Sequence, residues 1–251
     1  MIYINNFNKT ILDKNIKFII CDFDRTITSF SSNTCWNLFS KSPLVDIGFS
    51  EECTRLYNHY RPIEIDSTIS FEEKSRYMEE WTIATSRVFG QFGINKQKLF
   101  EVLSTDNGII LRRGFESFAK LTNEMGIRFY IVSAGIYDVI HYTLEKNNLL
   151  LPNIHILTNK FKYNETGVSG IDGLILHSCN KDAINLPIKP DEFGLLFGDQ
   201  IEDKIVGEKY DTLDIGFCPK REMLDVYNQS FDITLTPNSS FDSIGKILLK
   251  K

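Results

Sequence analysis

The stretch KFIICDFDRT (residues 17–26) decides how the rest of the chain is read. After Lys17, FIIC (18–21) is an unbroken apolar run, and the second half sets two carboxylates one residue apart. A continuous apolar run, unlike an alternating one, predicts a strand covered on both faces, as in a parallel sheet. Acidic residues at the end of such a strand lie where open α/β sheets bind ligands.

Four more runs share this texture: IRFYIVSAG (127–135), FGLLFGD (193–199), DTLDIGFC (211–218) and FDITL (231–235). Amphipathic stretches separate most of them. RRGFESFAKLTNEMG (112–126) repeats Phe115, Phe118 and Leu121 at helical spacing and stops at Gly126, while IYDVIHYTLEKN (136–147) directly follows a strand. This alternation predicts an α/β fold, an open parallel sheet with helices on both faces. Residues 30–111 break the rhythm. They include SFEEKSRYMEEWTIATSRVFGQFG (70–93), in which Ser70 and Glu73 form a capping box and Phe71, Met78, Trp81, Val88 and Phe92 form one apolar stripe. The predicted organisation is a core of residues 1–29 and 112–251, with a helical cap of residues 30–111 inserted after the first strand. NKFKYNETGVSGIDGLILHS (159–178), with its Asn164–Gly167 turn, predicts a projecting hairpin.

Composition excludes several classes of function. With 251 residues, 42% hydrophobic and 24% charged, the chain is neither disordered nor fibrous. Its net charge of −5 leaves no positive excess for a polyphosphate backbone, so no nucleic acid polymer is expected as a partner. No apolar run approaches the ~18 residues of a membrane span. The amino-terminal MIYINNFNKTILDKNIKF scatters Asn and Lys where a signal peptide needs an apolar centre. A cytoplasmic monomer with no membrane partner is the expectation. Cys21, Cys35, Cys53, Cys179 and Cys218 are odd in number and lack a CxxC pair, which predicts free thiols. His59, His141, His155 and His177 are read as structural or surface groups.

Four motifs carry the chemistry. In Asp22-Phe23-Asp24-Arg25-Thr26, two unpaired carboxylates repel, which raises a pKa or recruits a cation such as Mg²⁺. Asp22 is then placed to attack phosphorus, and Asp24 to protonate a leaving oxygen and later deprotonate water. Ser133-Ala134-Gly135 offers a hydroxyl and backbone N–H groups to phosphate oxygens. Lys181 supplies a positive charge, and Gly198-Asp199 with Asp203 fits a metal ligand and its support. Each motif alone also fits a plain turn, a cap or a solvated surface group. Trp36, Phe39 and Trp81 fall in the cap and can either stack on a base or pack its core.

In order and placement these motifs resemble the haloacid dehalogenase superfamily. Beyond them, IEID (63–66), EEKSRYMEEW (72–81), IVSAGIYDVI (131–140), NETGVSG (164–170), HSCNKD (177–182) and GDQIED (198–203) resemble the cytosolic pyrimidine 5′-nucleotidases, the type III cytosolic 5′-nucleotidases. The resemblance implies Asp22 as nucleophile and Asp24 as general acid/base. It implies Mg²⁺ held by Asp22, the Asp24 backbone carbonyl and Asp199, with Asp203 supporting the metal shell or orienting Lys181. Ser133, Ala134 and Lys181 match phosphate-binding positions. Glu64 matches a nucleobase contact, Thr85 stands where the family has a substrate-contacting serine, and Trp36 is a candidate base-stacking residue. Arg25 departs from the uncharged residue common there. The segment 29–49, which contributes to the base pocket, matches poorly. The implied substrate is a nucleoside 5′-monophosphate, a pyrimidine one preferred or a methylated GMP. A capped phosphatase for another small phosphomonoester, such as a phosphoamino acid, and a silent nucleotide-binding protein are the rival readings.

Overall fold

The structure, a computed structural model, describes residues 2–4, 14–105 and 108–248; of the amino-terminal stretch read above, Met1 and residues 5–13 lie outside it. The strands are β1 (Ile2–Ile4), β2 (Ile16–Cys21), β3 (Arg128–Ile136), β4 (Ile154–Asn164), β5 (Gly167–Asp172), β6 (Phe193–Gly198), β7 (Asp211–Phe217) and β8 (Ile233–Leu235). They form one sheet in the order β1-β8-β7-β6-β2-β3-β4-β5. Every pairing from β8 across to β4 is parallel, and only the edge strands β1 and β5 are antiparallel. The chain leaves β2 for β3 on one side and returns through β6 on the other, so β2 ends at the point where the winding reverses.

Side chains of β2 alternate between two hydrophobic clusters. Ile19 and Cys21 join one face, Phe18 and Ile20 the other. The first face is covered by α5 (Phe115–Glu124), α6 (Tyr137–Lys146) and α8 (Phe241–Leu248), through Phe115, Phe118, Val139, Leu144 and Phe241. The second is covered differently from the expected full helices. A tight 3₁₀ coil over Ile201–Lys209 and the seven-residue α7 (Leu224–Ser230) lie on it, through Val206 and Tyr227. Gly207 permits this approach, since a Cβ there would stand 2.6 Å from Leu196 Cδ1.

Between β2 and β3 the chain forms α1 (Asn37–Ser40), α2 (Ile47–Ile65), α3 (Phe71–Gln91) and α4 (Lys96–Ser104). Ser70 caps α3 by accepting from the Glu73 N–H at 3.2 Å. Of the expected stripe, Met78 and Val88 are buried, but Phe71, in the first turn, is 51% exposed. Phe89, outside that stripe, is the aromatic hub. Its ring lies 4.9 Å from Phe39, 5.0 Å from Phe49 and 5.0 Å from Phe161 of β4. One apolar cluster therefore runs from the inserted helices into the β4–β5 hairpin. The hairpin turn falls where the sequence sets it, with Asn164 Oδ1 accepting from the Thr166 and Gly167 N–H groups.

Gly90 is where α3 meets the hairpin. A Cβ there would lie 2.3 Å from the Val168 carbonyl oxygen, and the Val168 N–H bonds Ile94 O at 2.9 Å. Ala normally stabilises a helix interior by about 1 kcal/mol over Gly. Here the clash with backbone outweighs that gain. Gly90→Ala lowers stability by about 1–3 kcal/mol in urea unfolding; an unchanged or raised midpoint contradicts this close packing.

Candidate active site

Asp22 is the first residue past β2, with φ −71° and ψ 161°, and the chain then winds into a tight turn over Phe23–Ile27. Two strand ends flank it at the reversal point: the irregular end of β3 carries Ser133-Ala134-Gly135, and β6 ends at Gly198-Asp199. The loop that follows the hairpin brings Lys181 in from above. Its Nζ donates to Asp22 Oδ1 and Asp203 Oδ1, each at 2.6 Å, and the residue is 4% exposed.

Asp203 is locked by its own loop. Its Oδ2 accepts from the Asp199 N–H at 3.0 Å and the Gln200 N–H at 2.9 Å. Gly198 makes this fold-back possible, because a Cβ there would stand 2.4 Å from Asp203 Cβ. Asp24 turns towards the inserted segment, and both its oxygens face the Cys35 N–H, at 3.0 and 3.1 Å.

Burial raises the Asp22 carboxyl to about 6 against the opposing pull of Lys181, and Asp203 adds to the rise. Burial and then Asp22 raise Asp24 to about 7, the range a proton donor and acceptor needs near neutrality. Asp199 is pushed well above the usual carboxylate range by burial, then by Asp203 and Asp22. Burial alone would lower Lys181, but Asp203 and Asp22 outweigh it and hold the ammonium protonated. His177 is lowered to about 4 by burial; its Nδ1 accepts from the Cys179 N–H at 3.2 Å, which suits a neutral ring.

The cluster carries more negative charge than Lys181 can balance. Carboxylate oxygens of Asp22, Asp199 and Asp203 lie within 4.8 Å of one another. Asp203 is already filled by Lys181 and two N–H groups, whereas Asp22 takes the Lys181 bond on Oδ1 and Asp199 takes a long 3.5 Å bond from Thr26 Oγ1 on Oδ1. A hard divalent cation fits this set of oxygen donors, with Asp22 and Asp199 the carboxylates that have an oxygen to offer.

A cavity of about 450 Å³ opens above the cluster, within the range of small-ligand sites. The predicted catalytic, metal, phosphate and substrate residues line it, with Asp22, Asp24, Ser133, Ala134, Lys181, Asp199 and Asp203 at its floor and Trp36, Glu64 and Thr85 on its walls; Phe39, also considered for base stacking, is instead buried against Phe89. Three are engaged in ways the sequence did not show. Trp36 donates from Nε1 to Ala134 O at 3.0 Å, and its ring meets Phe89 and Phe161 edge-on. Thr85 donates to Trp81 O in its own helix. Glu64 pairs with Arg61 and accepts from Ser178 Oγ at 3.2 Å, linking α2 to the loop before Lys181. Of the N–H groups expected to face phosphate, that of Gly135 is spent: the strand runs on past Ser133 to Ile136, and the Gly135 N–H turns back to Ser133 Oγ at 3.1 Å. Tyr57 and Arg61 also line the cavity; their spacing with Glu64 on one helix face was the signal available for them. Arg112 had no such signal. It is buried behind the turn and donates to Thr26 O at 2.7 Å and to Arg25 O.

Residues 25–250 match the family model described as pyrimidine 5′-nucleotidase (UMPH-1). The chain belongs to this family. The match begins just after Asp24, so membership rests on the inserted helices and the later core motifs rather than on the paired aspartates. The 7-methylguanosine phosphate-specific 5′-nucleotidase of Homo sapiens is 28% identical over 249 residues, covering 92% of this chain and 83% of that one. The Drosophila melanogaster protein of the same description is 25% identical, covering 89% and 76%. Among solved structures, cytosolic 5′-nucleotidase IIIB bound to cytidine superposes with a TM-score of 0.80 at 24% identity, covering 93% of this chain and 85% of that one. A substrate-bound phosphoserine phosphatase superposes at 0.59 and 18%, covering 94% and 99%. The two superpositions carry the fold, an open parallel α/β sheet with helices inserted after the first core strand. This member of the pyrimidine 5′-nucleotidase family is a phosphoric monoester hydrolase, and among its described residues no helix is long and apolar enough to cross a membrane.

Proposed function

We propose that the chain hydrolyses nucleoside 5′-monophosphates through an aspartyl-phosphate on Asp22. The observation that carries this reading is the juxtaposition of Asp22, Asp24 and Lys181 beneath a cavity walled by Glu64 and aromatic rings. The Asp22 carboxylate attacks phosphorus as the bond to the nucleoside O5′ breaks, and Asp24 gives its proton to that oxygen. Asp24 then takes a proton from water, which attacks the phosphorus of the aspartyl-phosphate and releases inorganic phosphate. Lys181, the Ser133 hydroxyl and the Ala134 N–H hold the phosphoryl oxygens where charge spreads in the transition state. Mg²⁺, held by Asp22, the Asp24 carbonyl and Asp199, supplies further charge neutralisation when bound. Asp203 fixes Lys181. The helices of residues 30–111 act as the cap domain over the core of residues 1–29 and 112–251.

Glu64 reads the base. A carboxylate accepts from the exocyclic amine of cytosine or guanine and finds no donor of that kind on uracil. Tyr57 and Trp81, 6.1 Å apart edge-to-face on the same wall, offer ring faces to it. Rings beside a carboxylate also suit a cationic base, as N7-methylguanine is, in keeping with the substrate named for the curated relatives. CMP and 7-methyl-GMP are thus the preferred substrates, met by a monomer in the cytosol. A panel of CMP, UMP, GMP, 7-methyl-GMP and phosphoserine tests this. The expected kcat/KM for the first or fourth exceeds that for phosphoserine by about 100-fold or more, of the order of two lost polar contacts. Phosphoserine turned over as fast as every nucleotide overturns it in favour of the capped-phosphatase rival.

A further inference from the structure

Among the described residues only two that are not glycine have positive φ: Asn148 at 56° and Arg25 at 62°. Asparagine tolerates this region through its short polar side chain; arginine gains nothing from it and pays in steric strain. The turn is held at both ends regardless. The Arg25 N–H donates to Thr28 Oγ1 at 2.7 Å, and Arg112 donates to the Arg25 carbonyl. The side chain lines the cavity beside Asp24, and its charge acts on both Asp24 and Asp199. Yet among the described residues its guanidinium donates no hydrogen bond and forms no ion pair. A cation aimed into an anion-binding cavity, uncommitted, on a backbone that glycine would relax, is explained by a ligand.

We propose that Arg25 is a substrate-binding residue whose guanidinium grips the phosphate of the monoester as a fork of N–H donors to two phosphoryl oxygens. This rests on the phosphomonoesterase reading above and adds to it a contact beyond Lys181, Ser133 and Ala134. Arg25 does not enter the bond-making step, so its loss falls on KM and on product affinity more than on kcat.

The test compares Arg25→Gly, Arg25→Met and Arg25→Lys, using inorganic phosphate as a competitive inhibitor, p-nitrophenyl phosphate and CMP as substrates, and thermal unfolding. Arg25→Gly is expected to raise Tm by about 2–4 °C, because the turn loses its strain. Both Arg25→Gly and Arg25→Met weaken inhibition by phosphate about tenfold and raise KM similarly, with kcat within threefold. Arg25→Lys recovers part of the loss, and inhibition by cytidine, which lacks phosphate, is unchanged in all three. A phosphate inhibition constant that stays within twofold in the Gly and Met variants overturns the proposal and leaves Arg25 a surface group. If CMP is no better a substrate than p-nitrophenyl phosphate, the nucleotide reading fails instead, while the role of Arg25 is still decided by phosphate and p-nitrophenyl phosphate.

Discussion

Asp22→Asn abolishes nucleotide hydrolysis while the protein stays folded. Asparagine keeps the shape of the side chain and an Oδ1 to accept the Lys181 bond now made at 2.6 Å. It removes the nucleophile, which no other residue at this strand end replaces. The expected fall in kcat is at least about 10⁴-fold, the scale seen when a nucleophile is lost from a cooperating set. Stability moves little or rises, because one of several repelling buried carboxylates has become neutral. Inorganic phosphate still binds, since Lys181 and Ser133 remain. Steady-state kinetics with CMP, thermal unfolding and phosphate titration check the three parts. Hydrolysis within tenfold of the parent enzyme removes covalent catalysis from the account.

Lys181→Met is the second severe change, and it separates charge from shape. Methionine fills much of the same volume but leaves Asp22 and Asp203 without their shared partner. Loss of one preorganised charge at the phosphoryl oxygens lowers kcat/KM by about 10³-fold. Breaking a buried ion pair from one side also costs about 3–5 kcal/mol of stability. The pH dependence of that cost has a definite sign. Without the ammonium the folded-state pKa of Asp22, already about 6, rises further above its unfolded value. The folded variant then binds more protons than the unfolded chain through that window, so its stability falls as pH rises. In metal-free buffer the Tm deficit is larger at pH 8 than at pH 5. A deficit independent of pH, or turnover near the parent rate, contradicts the role given to Lys181.

Much of this arrangement was legible in the chain because it depends on local rules. An apolar run ending in acid predicts a buried parallel strand with its ligands at the carboxyl edge, and β2 and β6 end where that rule puts them. The hairpin turn at Asn164–Gly167 was legible for the same reason: Asn side chains and Gly backbones make turns locally. What stayed hidden depends on distance. Strand β1 pairs with β8 at the far end of the chain, and Ile154–Leu157 of β4, ahead of the legible hairpin, pair with β3 about 25 residues back. FDITL narrowed to Ile233–Leu235 because Phe231 and Asp232 lead out of α7 before the strand starts. Arg112 could not be found from its neighbours, since its partners are carbonyls of a turn more than eighty residues earlier. Trp36 read as a packing ring or a base-stacking one. Its bond to Ala134 O and its edge contacts with Phe89 and Phe161 tie its indole to the cavity wall.

The most direct measurement is acid quench of the enzyme during turnover of CMP carrying a radiolabelled phosphate, followed by peptide mapping. The account predicts label that hydroxylamine releases, on the peptide containing Asp22, absent from Asp22→Asn. Steady hydrolysis with no protein-bound phosphate at any quench time, or label on a different residue, contradicts it.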